Sequence, residues 1–231
     1  MTTIAYIHIP KCAGTTMVSV VNRLDLKWWH VPAGVYVAEY DAFIGNYETS
    51  LREDASAKIS DEYDLILGHF SQRDVIRSIG SESGLRFATT LRDPVERLVS
   101  EYYYSISKTH NGADATRRLF PTFRDFVTTN TETEVIARFL ESYRGEPADR
   151  IADRLVNLYA FVGFTDRLTA SVDALAKLFG RSPPAEIGLA NVTADKPATI
   201  DSDLVEIIHD RNARDVAIFN AVKLALASDP V

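Results

Sequence analysis

Ile4-Ala5-Tyr6-Ile7-His8-Ile9-Pro10-Lys11-Cys12-Ala13-Gly14-Thr15-Thr16 runs from an apolar strand pattern into a short loop with a lysine, a glycine and two threonines. The pattern predicts a phosphate cradle spanning Lys11, Cys12, Ala13, Gly14, Thr15 and Thr16. Gly14 lets the backbone approach a ligand without a Cβ in the way. Thr15 and Thr16 open a helix whose free N–H groups and positive dipole end attract an anion. Lys11 adds a full positive charge. In the loop of nucleotide triphosphatases, G-x-x-x-x-G-K-[ST], a lysine would stand where Thr15 stands here; in this chain the lysine comes before the glycine. The expected anion therefore differs from an ATP γ-phosphate.

A second segment, Arg86-Phe87-Ala88-Thr89-Thr90-Leu91-Arg92-Asp93-Pro94-Val95-Glu96, brings another strand to a helix start. Asp93 suits the N-cap, Pro94 the first helical position, and Glu96 a capping box. Arg92 is thus expected at a rigid corner with its guanidinium fork suited to a terminal phosphate. Ser100, seven residues after Asp93, falls near the same helix face and can add a hydroxyl. A ligand with two separated phosphate groups would use both segments.

Ile9-Pro10-Lys11 with Gly14-Thr15-Thr16, then Arg92-Asp93-Pro94 and Ser100 before Tyr102-Tyr103-Tyr104, resembles the sulfotransferases that use 3′-phosphoadenosine-5′-phosphosulfate (PAPS). The closest likeness is to the carbohydrate-type branch related to the 2-O-sulfotransferases. The resemblance implies that Lys11, Gly14, Thr15 and Thr16 hold the 5′-phosphosulfate, while Arg92 and Ser100 hold the 3′-phosphate. Phe161-Val162-Gly163-Phe164 is similar to the family's last core strand, so the likeness covers most of the chain and is strongest in its first half.

The apolar runs Ile4–Ile9, Tyr63–Leu67, Phe87–Leu91 and Ala160–Phe164 suit a parallel sheet covered on both faces. Helical spacing recurs over Ser71–Ile79, Pro94–Ser107, Thr133–Tyr143, Asp149–Leu158 and Arg167–Phe179. A long helix is expected over Asp201–Ala227. The expected fold class is α/β, a P-loop-like three-layer sandwich with a mostly parallel sheet of about four to five strands and helices on both faces. Trp28–Lys58 and Thr109–Pro121 are irregular and are the expected places for acceptor binding. Asn191, Val192, Thr193 and Lys196 lie in a loop whose counterpart in relatives closes over the nucleotide.

At 231 residues and 46% hydrophobic content, without a composition break, the chain is expected to form one sulfotransferase domain over residues 1–231. The single cysteine excludes an intramolecular disulfide and fits a reducing, cytoplasmic setting. No signal-like or membrane-spanning stretch is evident. A net charge of -7 argues against nucleic acid as a partner and disfavours a long anionic polysaccharide as acceptor.

The expected chemistry is in-line sulfuryl transfer without a metal. Lys11 is the natural donor to the bridging oxygen of the leaving phosphate. The expected general base is His69, directly after Leu65-Ile66-Leu67-Gly68, and the 2-O branch carries a Gly-His at a similar place. Glu39 and Asp41 are reserve bases. His8, alternating with Ile4 and Tyr6, reads as structural. His30, His110 and His209 have no metal-ligand spacing. Trp28 and Trp29 read as core-edge packing, with stacking on a sugar or the adenine as the alternative. Cys12 reads as part of the loop and not as a nucleophile. A P-loop phosphotransferase and a non-catalytic nucleotide-binding module are the rival functions. The acceptor is expected to be a carbohydrate or a small hydroxylated metabolite; these residues do not choose between them, nor do they give the oligomeric state.

Overall fold

A computed structural model of the chain describes residues 3–30, 63–79, 85–187 and 196–227. Among them, five strands form one parallel sheet: β1 (Thr3–Ile7), β2 (Trp28–His30), β3 (Leu65–Gly68), β4 (Leu85–Leu91) and β5 (Phe161–Phe164), in the order β2-β3-β1-β4-β5. β1 is central and buried along its whole length, as strands covered on both faces require. Its side chains alternate between two cores. Ala5 and Ile7 point to one, which includes Ile66 of β3, while Ile4 and Tyr6 point to the other with Leu65 and Leu67.

The helices α1 (Gly14–Val21), α2 (Gln72–Ile79), α3 (Pro94–Ser105), α4 (Ala113–Leu119), α5 (Phe123–Thr129), α6 (Val135–Leu140), α7 (Ala148–Asn157), α8 (Leu168–Leu178), α9 (Ser202–Arg211) and α10 (Ala213–Ala225) complete the described architecture. Met17, Val20 and Val21 of α1 join Val172 and Leu175 of α8 on the Tyr6 face; α6, α7 and α10 cover the Ile7 face. This is the expected three-layer α/β sandwich. A third cluster, Leu98, Tyr102, Phe126 and Ile208, ties α3 to α5 and α9.

Three expectations need correction. β2 lies in a region read as irregular. α4 occupies part of another such region, and α5 follows it unforeseen. The single C-terminal helix is two, broken at Asn212 (φ −124°), whose Oδ1 accepts from the Glu134 N–H while its Nδ2 donates to the Ile208 carbonyl. Tertiary hydrogen bonds interrupt a helical pattern that has no proline or glycine to announce the break.

Candidate active site

β3, β1 and β4 are neighbours, so the loops leaving their carboxyl ends converge, the usual place for ligands in such sheets. The β1 loop turns sharply. Lys11 (φ 66°) and Ala13 (φ 60°) are both left-handed, and the Cys12 N–H donates to the Ile9 carbonyl at 3.2 Å. Left-handed residues two apart turn the loop into the start of α1, whose first N–H groups and positive dipole end lie there. Gly14 itself is buried. The room its Cβ would need is taken by the His8 imidazole, with Nε2 1.6 Å from the ideal Cβ position. The His8 side chain therefore requires a glycine here.

The two motifs meet directly. Arg92, at the end of β4, donates from one terminal nitrogen to the Lys11 carbonyl at 3.2 Å and from the other to Glu96 at 3.3 Å. Its Nε is buried and unpartnered among the described residues. Asp93 caps α3, accepting from the Val95 and Glu96 N–H groups at 3.0 and 3.1 Å, and Pro94 sits at the helix start as expected. Glu96 turns its carboxylate to Arg92 and not to the foreseen capping box. Ser100 is buried two turns into α3, Thr16 is buried and Thr15 is exposed.

The Lys11 ammonium lies 3.5 Å from the centre of the Tyr104 ring, a cation–π contact. Burial lowers its pKa to about 8, with Lys196 and Arg92 adding to the shift and Glu101 opposing it. Lys196 is in turn lowered by burial and by Arg92. Lys11, Arg92 and Lys196 thus form a local positive cluster in a chain of net charge -7. Behind them Arg97, 1% exposed, pairs with Glu101 at 2.5 Å. Of the residues around this cluster, the sequence reads His8 as structural and Tyr104 only as part of the tyrosine run, and does not single out Arg97. Burial pushes the Cys12 thiol up to about 12, so it is a thiol and no nucleophile at neutral pH.

His69 follows β3 and is half-buried. Its Nδ1 lies 2.8 Å from the His8 carbonyl; a carbonyl only accepts, so Nδ1 carries the proton and Nε2 the lone pair of the neutral ring. Burial lowers its pKa to about 4, with His30 and Lys11 contributing and the His8 hydrogen bond opposing. The ring stacks on His8, centroids 3.9 Å apart at 25°.

Trp28 and Trp29 are half-buried on β2 and pack against His30 and Tyr63. Tyr102 is buried in the α3–α5 cluster, so Tyr104 is the residue of the run that reaches the loop. Glu39, Asp41, Asn191, Val192 and Thr193 lie outside the described residues. Among the described residues no His, Cys, Asp and Glu cluster is placed to hold a metal, and no helix is long and apolar enough to cross a membrane. An apolar cavity of about 430 Å³ beside β5, lined by Leu155, Tyr159, Val162 and Ala174 among others, shares no residue with this site.

A family profile described as "Sulfotransferase family" matches residues 2–220, and the chain belongs to that family. No curated protein matches the chain. Among solved structures it is similar to mouse sulfotransferase SULT7A1 complexed with PAP (3′-phosphoadenosine-5′-phosphate). That match has 10% identity and a TM-score of 0.42, covering 99% of this chain and 66% of that one. It is also similar to retinol dehydratase in complex with androsterone and inactive cofactor PAP, at 12% identity and TM-score 0.45 over 99% of this chain and 82% of that one. A third similar structure is retinol dehydratase with retinol and PAP, at 14% identity and TM-score 0.40 over 100% and 83%. The chain spans just under two thirds of the length of the first of these.

Proposed function

We propose that the chain is a PAPS-dependent sulfotransferase, acting as one domain and related to the 2-O branch, that sulfates a hydroxyl of a carbohydrate or small hydroxylated metabolite. The observation that supports this most is the junction of the two motifs. Arg92 bonds the Lys11 carbonyl, and Lys11, Arg92 and Lys196 gather positive charge at a helix N-terminus. The orphaned Arg92 Nε and this cation cluster fit an anionic donor. A cytoplasmic setting is part of the proposal and rests on the single, buried cysteine.

Lys11, the loop N–H groups, Thr15 and Thr16 would hold the phosphosulfate end; Arg92 and Ser100 would hold the 3′-phosphate. The donor supplies the sulfuryl group and its phosphate leaving group. Lys11 stabilises negative charge at the leaving oxygen through its ammonium, and His69 receives the acceptor's proton at Nε2. Because Nδ1 is committed to the His8 carbonyl, Nε2 is the only basic nitrogen of the neutral ring.

Calorimetry tests the donor assignment. PAP should bind far more tightly than AMP or ATP, and Arg92→Ala should lose about 1.5–3 kcal/mol of PAP affinity, roughly 10- to 150-fold. Equal affinity for AMP would remove the 3′-phosphate from the argument. Incubation with ³⁵S-labelled PAPS and a panel of mono- and oligosaccharides, phenols and sterols then separates an enzyme from a binding module, since no label transfer to any acceptor argues for the latter.

Transfer should persist in EDTA. The transferred group is less charged than an ATP γ-phosphate, Lys11 and the α1 N-terminus supply the positive field, and β3 ends at Gly68 and is followed by His69, not by the aspartate that magnesium-dependent phosphoryl transfer uses. Loss in EDTA with recovery in magnesium would favour a phosphotransferase.

A further inference from the structure

The His8 imidazole lies between the donor loop and the expected base. One edge occupies the space that a Gly14 Cβ would fill; one face stacks on His69 at 3.9 Å. Its backbone carbonyl accepts from His69 Nδ1. One residue therefore fixes the tautomer of His69 with its main chain and the position of that ring with its side chain. His8 Nδ1 is buried without a hydrogen-bond partner among the described residues, so this nitrogen is desolvated with no return in stability. A residue kept only to fill a core would be apolar here. A flat five-membered ring is what fits between a glycine Cα and a second imidazole.

We infer that His8 is a positioning residue for sulfuryl transfer: its ring is the spacer that sets the distance and orientation of His69 relative to the phosphate loop at Gly14. The inference rests on the reading of His69 as the base. In-line transfer needs acceptor oxygen, sulfur and leaving oxygen aligned, and misplacement of a catalytic group by about 1 Å can cost roughly a hundredfold in rate. The base and the donor loop come from strands β3 and β1; among the described contacts, His8 touches both.

The groups facing His69 are His8, His30 and Lys11. His8 itself is held well below the ordinary histidine range by burial, with His69, His30 and Lys11 adding to the shift. The two stacked rings titrate as a coupled pair, to which His8 contributes by excluding water from His69.

The test is ¹⁵N-histidine NMR of the whole chain, with and without PAP, for wild type, His8→Ala and His8→Gln, beside turnover of ³⁵S-labelled PAPS with the best acceptor of the panel. In wild type His69 should appear as the Nδ1–H tautomer and titrate near 4. His8→Ala admits water, so His69 should titrate closer to 6.5 and kcat should fall about 10- to 100-fold while donor KM changes little. Gln has a planar, uncharged amide of similar size and should keep the low titration and recover the rate to within about fivefold. PAP affinity reports whether each variant is folded; if His8→Ala is not, His8→Gln against His8→Leu, a non-planar side chain, makes the same comparison. A double-mutant cycle with His69→Ala separates the claims. Full rate in His69→Ala sinks the base reading. A His8→Ala effect that persists undiminished in the His69→Ala background, or an unchanged His69 titration in His8→Ala, overturns the spacer.

Discussion

Replacing His69 with alanine should lower kcat by about 10²–10⁴-fold while PAP affinity stays near wild type, because the donor loop and Arg92 belong to other segments. The pH profile adds an independent check with a definite sign. A histidine acts as a base only when neutral, and burial lowers this one to about 4. On the acid side, kcat/KM should hold down to about pH 5 and fall tenfold per pH unit only below about pH 4. An exposed histidine would place that limb near 6.5. His69→Gln should remove the limb together with the rate. A variant that binds PAP and transfers label at near wild-type rate would shift the search to Glu39 and Asp41.

The sheet was legible because its four longer strands carry contiguous, mostly apolar runs, a pattern that short-range sequence shows directly; β2 was not, having three residues, Trp-Trp-His, at the sheet edge. The donor loop and the Arg92 corner were legible for a similar reason, since loop, cap and helix start are contiguous. α4 was hidden because its sequence, ADATRRL, buries only Ala113 and so has no apolar stripe. Arg211, which donates to the Thr128 and Asn130 carbonyls, helps fix the break after α9 through contacts distant in sequence.

His8 is the instructive case. Alternation with Ile4 and Tyr6 reads it as a structural residue of the strand. Its meaning comes from position along the strand, one residue past the end of β1, where helical cover ends and the loops begin. Its contact with His69 follows from parallel pairing of β1 with β3, in which Ile7 aligns with Gly68, and its contact with Gly14 from the left-handed turn of the β1 loop. A residue read alone could not reveal that register.

Lys11→Met should lower kcat about 10²–10³-fold, the usual cost of losing a positioned charge donor at a developing oxyanion. Methionine preserves the apolar stem against Tyr104 and removes only the charge, so folding should persist. The ammonium works when protonated, and burial with Lys196 and Arg92 nearby lowers its pKa to about 8. In wild type kcat/KM should therefore decline as pH rises through about 8, opposite in sign to the His69 limb. That alkaline limb should vanish in Lys11→Met. Lys11→Arg would also lack it, because a guanidinium stays charged, yet should not restore the rate, since a planar fork cannot replace a compact ammonium 3.5 Å above a tyrosine ring. An alkaline limb near 8 that survives in Lys11→Met would belong to another group, and Lys11 would then be a binding cation with no part in the chemical step.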